Sequence, residues 1–337
     1  MIPARTGHNL LMHKELQDIL ALVRGHGTPL ALATLLRVEG SSYRRPGSRL
    51  LTDGEGILRG SLSGGCLEGE VLARAREALA DGRPRLLRYD LRGDADLVWG
   101  SGSGCEGLLD ILVERLDPAA PPEWLAWVEE ARATRTPLAV HIDMGPDHLG
   151  RRSIPPPPGP SASGFTETFT PPIALWILGA SDDSRPLVRL ARELGWTVGL
   201  LDHRPAFATP QRFPEADQVL AGHPAQRIPA LCLDGRSAVV LMTHNYLKDL
   251  EALRLLAASK APYLGLMGSR ARSAKLVAEL GAEGIHLGDR LHSPVGLDLG
   301  AEDPETIALA VLAEIQAHFQ GRTGGSLRTT RTAVSPP

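Results

Sequence analysis

The sequence predicts an α/β protein in two parts. An N-terminal mixed α+β domain precedes a C-terminal Rossmann-like, doubly wound parallel sheet. From Ile173 onward, short apolar runs alternate with helical stretches at the spacing of strand–helix–strand units. Before residue 145 the succession of strands and helices is less regular and includes a hairpin signal. Between the two rhythms lies a stretch rich in Pro, Gly and Ser. The 337 residues suffice for two domains, at roughly 100–200 residues each. An apolar fraction of 43% supplies their cores.

The elements follow in order. Leu16, Ile19, Leu20 and Val23 recur at helical spacing, and Gly25 and Gly27 end that helix. Leu30 to Val38 reads as a buried strand. Leu50-Leu51 and Ile57-Leu58 flank Asp53-Gly54, a hairpin signal. Gly64-Gly65 leads into a helix from Leu67 to Leu79, with Ser63 as its N-cap. Arg85–Tyr89, Leu108–Val113 and Leu138–Ile142 read as strands, and Glu123–Ala133 as a helix. Residues 10–145 form the first domain.

Residues 146–172 read as a linker, stiff and polyproline-like at Pro155-Pro156-Pro157-Pro158 and flexible beyond. The second domain, 173–320, places strands at Ile173–Leu178, Thr197–Leu201, Gln218–Ala221, Ala238–Met242 and Tyr263–Met267. Helices fall at Arg185–Leu194, Leu247–Ala258 and Ala271–Leu280. A last helix opens at Asp303-Pro304, a cap followed by proline in the first turn, and runs to Phe319. Residues 321–337, rich in Gly, Ser, Thr and Arg, read as a disordered tail.

Composition narrows the function classes. The net charge of −3, from 36 Lys+Arg and 39 Asp+Glu, offers no footprint for nucleic acid or a membrane surface. Three cysteines without CxxC spacing argue against a disulfide framework or a structural zinc site, and suit a reducing compartment. The N-terminus lacks an apolar signal core, and no run reaches about 18 apolar residues. A soluble, cytoplasmic protein is expected, with no metal site of its own.

Two cysteines sit among glycines. Cys66 lies in Gly60-Ser61-Leu62-Ser63-Gly64-Gly65-Cys66-Leu67-Glu68, and Cys105 in Gly102-Ser103-Gly104-Cys105-Glu106-Gly107. With Ser63 as the cap, Cys66 falls in the first helical turn, where the helix dipole favours thiolate. Gly64 and Gly65 allow a ligand close to the backbone. A ring of backbone N–H groups there suits an anion. Arg44, Arg45 and Arg49 add positive charge if the upstream segment folds back. Spacing alone leaves open a structural role for both cysteines. Cys232 has no such setting and reads as a packing residue.

In the second domain, Leu178-Gly179-Ala180-Ser181-Asp182-Asp183-Ser184 stands where a dinucleotide fold places G-x-G-x-x-G. Only the first glycine is present, and Asp182 and Asp183 put negative charge where a pyrophosphate needs positive potential. The residues therefore give NAD(P) weak support, although Asp202 stands where a ribose-binding acid would be. Thr243-His244-Asn245, Gly268-Ser269-Arg270 and His292 follow other apolar runs. His244, Ser269, Arg270 and His292 are expected to line one cleft at the carboxyl ends of the strands. Gly268-Ser269-Arg270 is the best anion candidate, combining backbone N–H groups with a guanidinium.

Together these segments resemble the xanthine dehydrogenase accessory factor family of the XdhC/CoxI type. The likeness rests on Val38-Glu39-Gly40-Ser41-Ser42 with Arg45-Pro46-Gly47, the Gly60–Glu68 run, and Leu201-Asp202-His203-Arg204-Pro205-Ala206-Phe207-Ala208. Thr243-His244, Gly268-Ser269-Arg270 and His292-Ser293-Pro294-Val295-Gly296-Leu297-Asp298 continue it in the same order. The resemblance implies an accessory domain joined to a Rossmann-like domain. It implies a chaperone that binds molybdenum cofactor as cargo, shields it while a cysteine desulfurase installs its sulfido ligand, and delivers it to an apo molybdenum hydroxylase. Such a protein binds and delivers rather than turning over a substrate, and family members are often homo-oligomers. The resemblance carries over Cys66 as a cofactor contact, and Gly104-Cys105-Glu106-Gly107 as the second Gly-Cys motif. The cofactor's phosphate suits a glycine-rich backbone and its metal–sulfur centre suits thiolates. The cofactor-binding set is thus Ser63, Gly64, Gly65, Cys66, Cys105, Arg45, His244, Gly268, Ser269 and Arg270, with no catalytic residue. An NAD(P)-dependent oxidoreductase and a thiol-based sulfurtransferase are the competing readings.

Overall fold

A computed structural model of the chain describes residues 8–11, 14–91, 107–155 and 164–329. The chain divides into two compact units, the first ending at Pro171 and the second beginning at Pro172.

The first unit holds strands β1 (His8–Leu11), β2 (Leu30–Gly40), β3 (Arg49–Thr52), β4 (Ile57–Gly60), β5 (Arg85–Asp90), β6 (Gly107–Leu116), β7 (Leu138–Asp143), β8 (Arg152–Ser153) and β9 (Gly164–Thr170). Its helices are α1 (Lys14–Gly25), α2 (Glu68–Asp81) and α3 (Glu123–Ala133). A five-stranded antiparallel sheet runs in the order β4-β3-β2-β6-β5. A four-stranded sheet runs β1-β9-β7-β8, with only the β1–β9 pair parallel.

Strand β2 is apolar on both faces because both are covered. Ala31, Ala33 and Leu35 pack against Val71, Ala75 and Ala78 of α2. Leu30 and Leu32, on the opposite face by the two-residue period, pack with Leu16, Ile19, Leu20 and Val23 of α1 and with Trp124 and Val128 of α3.

Residues 146–172, expected to be a linker, instead contribute strands β8 and β9 to the four-stranded sheet. Strand β9 pairs with β7 from Gly164 to Thr170 and with β1 over its second half. Its Phe-Thr-Glu-Thr-Phe alternation buries Glu167 and Phe169 completely. The prolines upstream mask a two-residue period that is legible once the run is isolated. A linker therefore describes less of this segment than its composition suggests. Strand β1 was likewise not expected.

Among the described residues, two buried ion pairs join the sheets. The Arg49 guanidinium on β3 donates to both carboxylate oxygens of Glu167 on β9 at 2.7 Å. Arg152 on β8 donates to Glu114 on β6 at 2.7 and 2.5 Å and lies 4.3 Å from the Trp124 ring centroid.

The second unit is one parallel sheet, β12-β11-β10-β13-β14-β15. In chain order the strands are β10 (Ala174–Leu178), β11 (Thr197–Asp202), β12 (Gln218–Ala221), β13 (Ser237–Leu241), β14 (Tyr263–Leu266) and β15 (Leu291–His292). The helices are α4 (Ser184–Glu193), α5 (Pro224–Arg227), α6 (Tyr246–Leu256), α7 (Arg270–Ala282) and α8 (Pro304–Phe319). The order 3-2-1-4-5-6 is that of a Rossmann sheet.

Helices α4 and α8 pack on Leu175 and Ile177, while α6 and α7 pack on Trp176 and Leu178. Burial on both faces is why these strands read as continuous apolar runs. The short edge strand β15 escaped the sequence reading because two residues carry no period. The expected tail is described as far as Thr329, and residues 321–329 contain neither helix nor strand. Among the described residues no helix is long and apolar enough to cross a membrane.

Candidate ligand-facing loops

The loop between β4 and α2 carries Cys66. Ser63 is not the helix cap. The helix begins at Glu68, the cap position is Leu67, and no side chain caps it. Cys66 therefore precedes the first helical residue rather than lying within the first turn, and it is exposed. The Ser63 hydroxyl instead accepts the Leu67 N–H at 2.9 Å.

The anion in the ring of N–H groups is the chain's own Glu68. One carboxylate oxygen accepts from the Ser61 hydroxyl at 3.0 Å and from the Leu62 and Ser63 amides at 3.1 and 3.0 Å. The other accepts from the Gly65 and Leu67 amides at 2.9 and 3.2 Å, and from the Ser63 hydroxyl. Burial alone would raise the Glu68 pKa. The donors from Ser63, Leu62 and Ser61 outweigh it and hold the pKa down at about 2. Gly64 donates to the Ser61 hydroxyl at 3.3 Å. Between residues 62 and 67, the Cys66 amide has no acceptor among the described residues.

Gly64 and Gly65 have φ of 88° and 123°, which side chains resist. A Cβ on Gly64 would also lie 3.3 Å from the Tyr43 ring. The segment after β2 thus reaches the loop through Tyr43. Arg45 is exposed, and among the described residues no hydrogen bond or ion pair joins it to the loop. Arg44 lies 3.9 Å from Glu15, and Arg49 is committed to Glu167. Among the described residues none of the three makes a hydrogen bond or ion pair to the Cys66 loop, while Arg44 lies 5.8 Å over the Tyr43 ring that packs against Gly64. Cys105 lies outside the described residues.

In the second unit, Gly179 follows β10 with φ of 125°. A Cβ there would lie 2.4 Å from the Met242 carbonyl oxygen, so the glycine serves the close approach of β10 and β13. Asp202 accepts from the Ala180 amide at 2.7 Å and from the Arg204 amide and guanidinium at 2.8–3.0 Å. The acid that would bind a ribose is already engaged. Asp182 pairs with Arg212 at 2.9 Å, and Asp183 lies 3.7 Å from His244.

His244 is half exposed, with φ of 56°. Ser269 caps α7, its hydroxyl accepting the Arg272 amide at 3.3 Å. Gly268 packs against Arg272 rather than Arg270, since a Cβ there would lie 3.3 Å from Arg272 Cδ. One residue the sequence reading passed over joins these strand ends. Asp249 accepts from Thr243 at 2.6 Å and from Arg272 at 2.5 Å. Burial raises the Asp249 pKa against the pull of Thr243 and Arg272.

Of the four residues expected in one cleft, Ser269 and Arg270 adjoin at the start of α7, and Asp249 ties that helix start to the Thr243 segment beside His244. Arg270, Ser273 and Val277 line a cavity of about 600 Å³ between α7 and residues 285–294. His292 turns instead into a cluster, stacked at 4.1 Å on Tyr263 and 3.4 Å from Glu314. Glu314 also accepts from the Tyr263 hydroxyl at 2.5 Å and the Gly296 amide at 2.8 Å, which anchors the segment after β15. Among the described residues no group of three or more His, Cys, Asp or Glu side chains is arranged to hold a metal ion.

Both units match known families. The XdhC and CoxI family matches residues 23–90, and the XdhC Rossmann domain matches residues 175–315. A Bacillus subtilis (strain 168) protein described as a probable subunit of xanthine dehydrogenase is 33% identical, over 84% of this chain and 91% of that protein. The molybdenum cofactor insertion chaperone PaoD of Escherichia coli (strain K12) is 28% identical, over 88% of this chain and 84% of PaoD. A crystal structure described as a xanthine dehydrogenase from Bacillus halodurans matches with a TM-score of 0.78 and 28% identity, covering 93% of this chain and 97% of that one.

Proposed function

Because the chain belongs to the XdhC and CoxI family, we propose that it is an accessory chaperone that carries molybdenum cofactor as cargo. It protects the cofactor while a cysteine desulfurase supplies sulfur, then delivers it to an apo molybdenum hydroxylase of the xanthine dehydrogenase or CO dehydrogenase type. The relative named as a molybdenum cofactor insertion chaperone supports the cargo, and the relative named for xanthine dehydrogenase supports the client. The protein works as a binder in the cytoplasm, in a homo-oligomer.

The observation that carries this reading is an exposed thiol on a loop pinned by hydrogen bonds to Glu68. Cys66 is an exposed residue whose neighbours Gly65 and Leu67 are both held by Glu68. A soft sulfur donor suits the sulfur-rich end of the cofactor. Gly64 and Gly65 let that end approach the backbone, and Ser63 holds the loop from beneath. Arg45 and Cys105 are proposed as further contacts of the same unit. In the second unit His244, Gly268, Ser269 and Arg270 are proposed contacts in their own right.

The nicotinamide oxidoreductase reading is not favoured, since Asp202 is tied up by Arg204 and Ala180. The sulfurtransferase reading is not favoured by the relatives' names.

Retention of molybdenum after gel filtration of protein mixed with the cofactor tests the proposal. The wild type is expected to retain close to one equivalent. Cys66→Ala is expected to bind about tenfold more weakly, a loss of about 1.4 kcal/mol. Equal retention by the two proteins removes Cys66 from the site, and no retention by the wild type removes the cargo.

A further inference from the structure

The β4–α2 loop has the composition of an anion-binding nest, and its nest is full. Four backbone amides, those of Leu62, Ser63, Gly65 and Leu67, converge on the Glu68 carboxylate together with the Ser61 and Ser63 hydroxyls. Glu68 is only 7% exposed. An outside phosphate reaches those amides only by expelling a buried carboxylate that accepts all six donors, an exchange that leaves a charge uncompensated. Cys66 is left exposed beside that filled nest, and its amide has no acceptor among the described residues.

We propose that Glu68 is a positioning residue of the ligand-facing loop: its carboxylate permanently takes the place of an external anion and holds Cys66 outward. The proposal rests on the reading of this loop as the cofactor-facing one, and it adds an orientation. The loop meets the metal–sulfur end of the cargo, not the phosphate end, because its donors are spent on Glu68. Gly65 and Leu67, on either side of Cys66, share one Glu68 oxygen, so the carboxylate sets where the Cys66 backbone can go.

Thiol chemistry tests this without any cofactor. The rate of iodoacetamide alkylation is followed at Cys66 by peptide mass spectrometry, with Cys232, which is exposed and not the packing residue its sequence setting suggests, as the internal reference. In Glu68→Ala the freed amides become available to the Cys66 sulfur and a negative charge leaves. The Cys66 rate is expected to rise roughly three- to tenfold, because thiolate is the reactive form, while the Cys232 rate stays constant. Sodium acetate, whose carboxylate fits the emptied nest, is expected to return the rate toward the wild-type value, and sodium chloride at equal ionic strength is not.

Glu68→Gln keeps the shape without the charge and is expected to raise the rate less. It carries the test if Glu68→Ala does not fold. An unchanged Cys66 rate in both variants overturns the proposal. So does a raised rate in Glu68→Ala on which acetate and chloride act alike. Either result leaves the cofactor reading standing, because that reading is decided by molybdenum retention. Failure of molybdenum retention, conversely, leaves the thiol result intact.

Discussion

At the scale of single residues, Glu68 changes what its neighbours mean. Ser63, Gly64, Gly65 and Cys66 invite an external anion, and the chain provides its own. The signal was in the sequence, since an acidic residue at a helix start is drawn to the unpaired amides there. The direction its side chain takes was not, because it depends on the turn that Gly64 and Gly65 make. The pH dependence follows from the depressed pKa. A carboxyl held near 2, against an ordinary 4.5, contributes stability that is complete above pH 4.5 and is lost as pH falls toward 2. Discounted for solvent at the open side of the loop, the contribution is on the order of 2 kcal/mol. In urea unfolding, Glu68→Gln is expected to be less stable than the wild type near neutrality. The gap should narrow as pH falls through that window. A gap of constant size at all pH values contradicts the assignment.

At the scale of elements, the glycine at the end of β10 separates two roles that look alike in a sequence. Gly179 occupies the first position of a dinucleotide fingerprint. Here it lets β10 pass the Met242 carbonyl. Gly179→Ala is expected to cost the second unit about 3 kcal/mol, from a strained backbone and a contact too close for any rotamer to relieve. A thermal unfolding curve matching the wild type contradicts this role. Nucleotide titration is not the readout here, because the neighbouring Asp202 is spent on Arg204. The start of α2 and the strand β9 teach a related lesson. Local propensity located the helix to within a residue at its start, yet assigned its cap to Ser63, where the cap position is Leu67 and no side chain caps it. It passed over β9 because proline-rich composition dominated the window. The signal for β9 is the alternation itself, which needs β7 alongside to become a ladder.

At the scale of the whole molecule, buried ion pairs between its sheets, Arg49–Glu167 and Arg152–Glu114 among the described residues, hold the first unit together. Arg49 and Glu167 are 118 positions apart, and both side chains are almost wholly buried. Glu167→Gln leaves the Arg49 charge buried without its partner, which typically costs about 3–5 kcal/mol, a large part of the roughly 5–15 kcal/mol that holds a domain folded. Loss of the first unit's cooperative unfolding transition, followed by circular dichroism, is the expected outcome. Unfolding at the wild-type urea concentration contradicts it.

The alternation of strands and helices after Ile173 determined the Rossmann-like sheet from the sequence alone, because a strand covered on both faces must be apolar throughout. The ordered motifs, from Gly60–Glu68 to His292–Asp298, likewise sufficed to point to the family. Tertiary structure alone decided which side chains meet. It spent the loop's amides on Glu68, gave Asp202 to Arg204, joined Thr243 to Arg272 through Asp249, and stacked His292 on Tyr263. Periodicity reports the face an element buries, which is a local property of the chain. Partner choice depends on distances between residues remote in sequence and on the cost of leaving a buried charge or amide unpaired, and both exist only once the chain has folded.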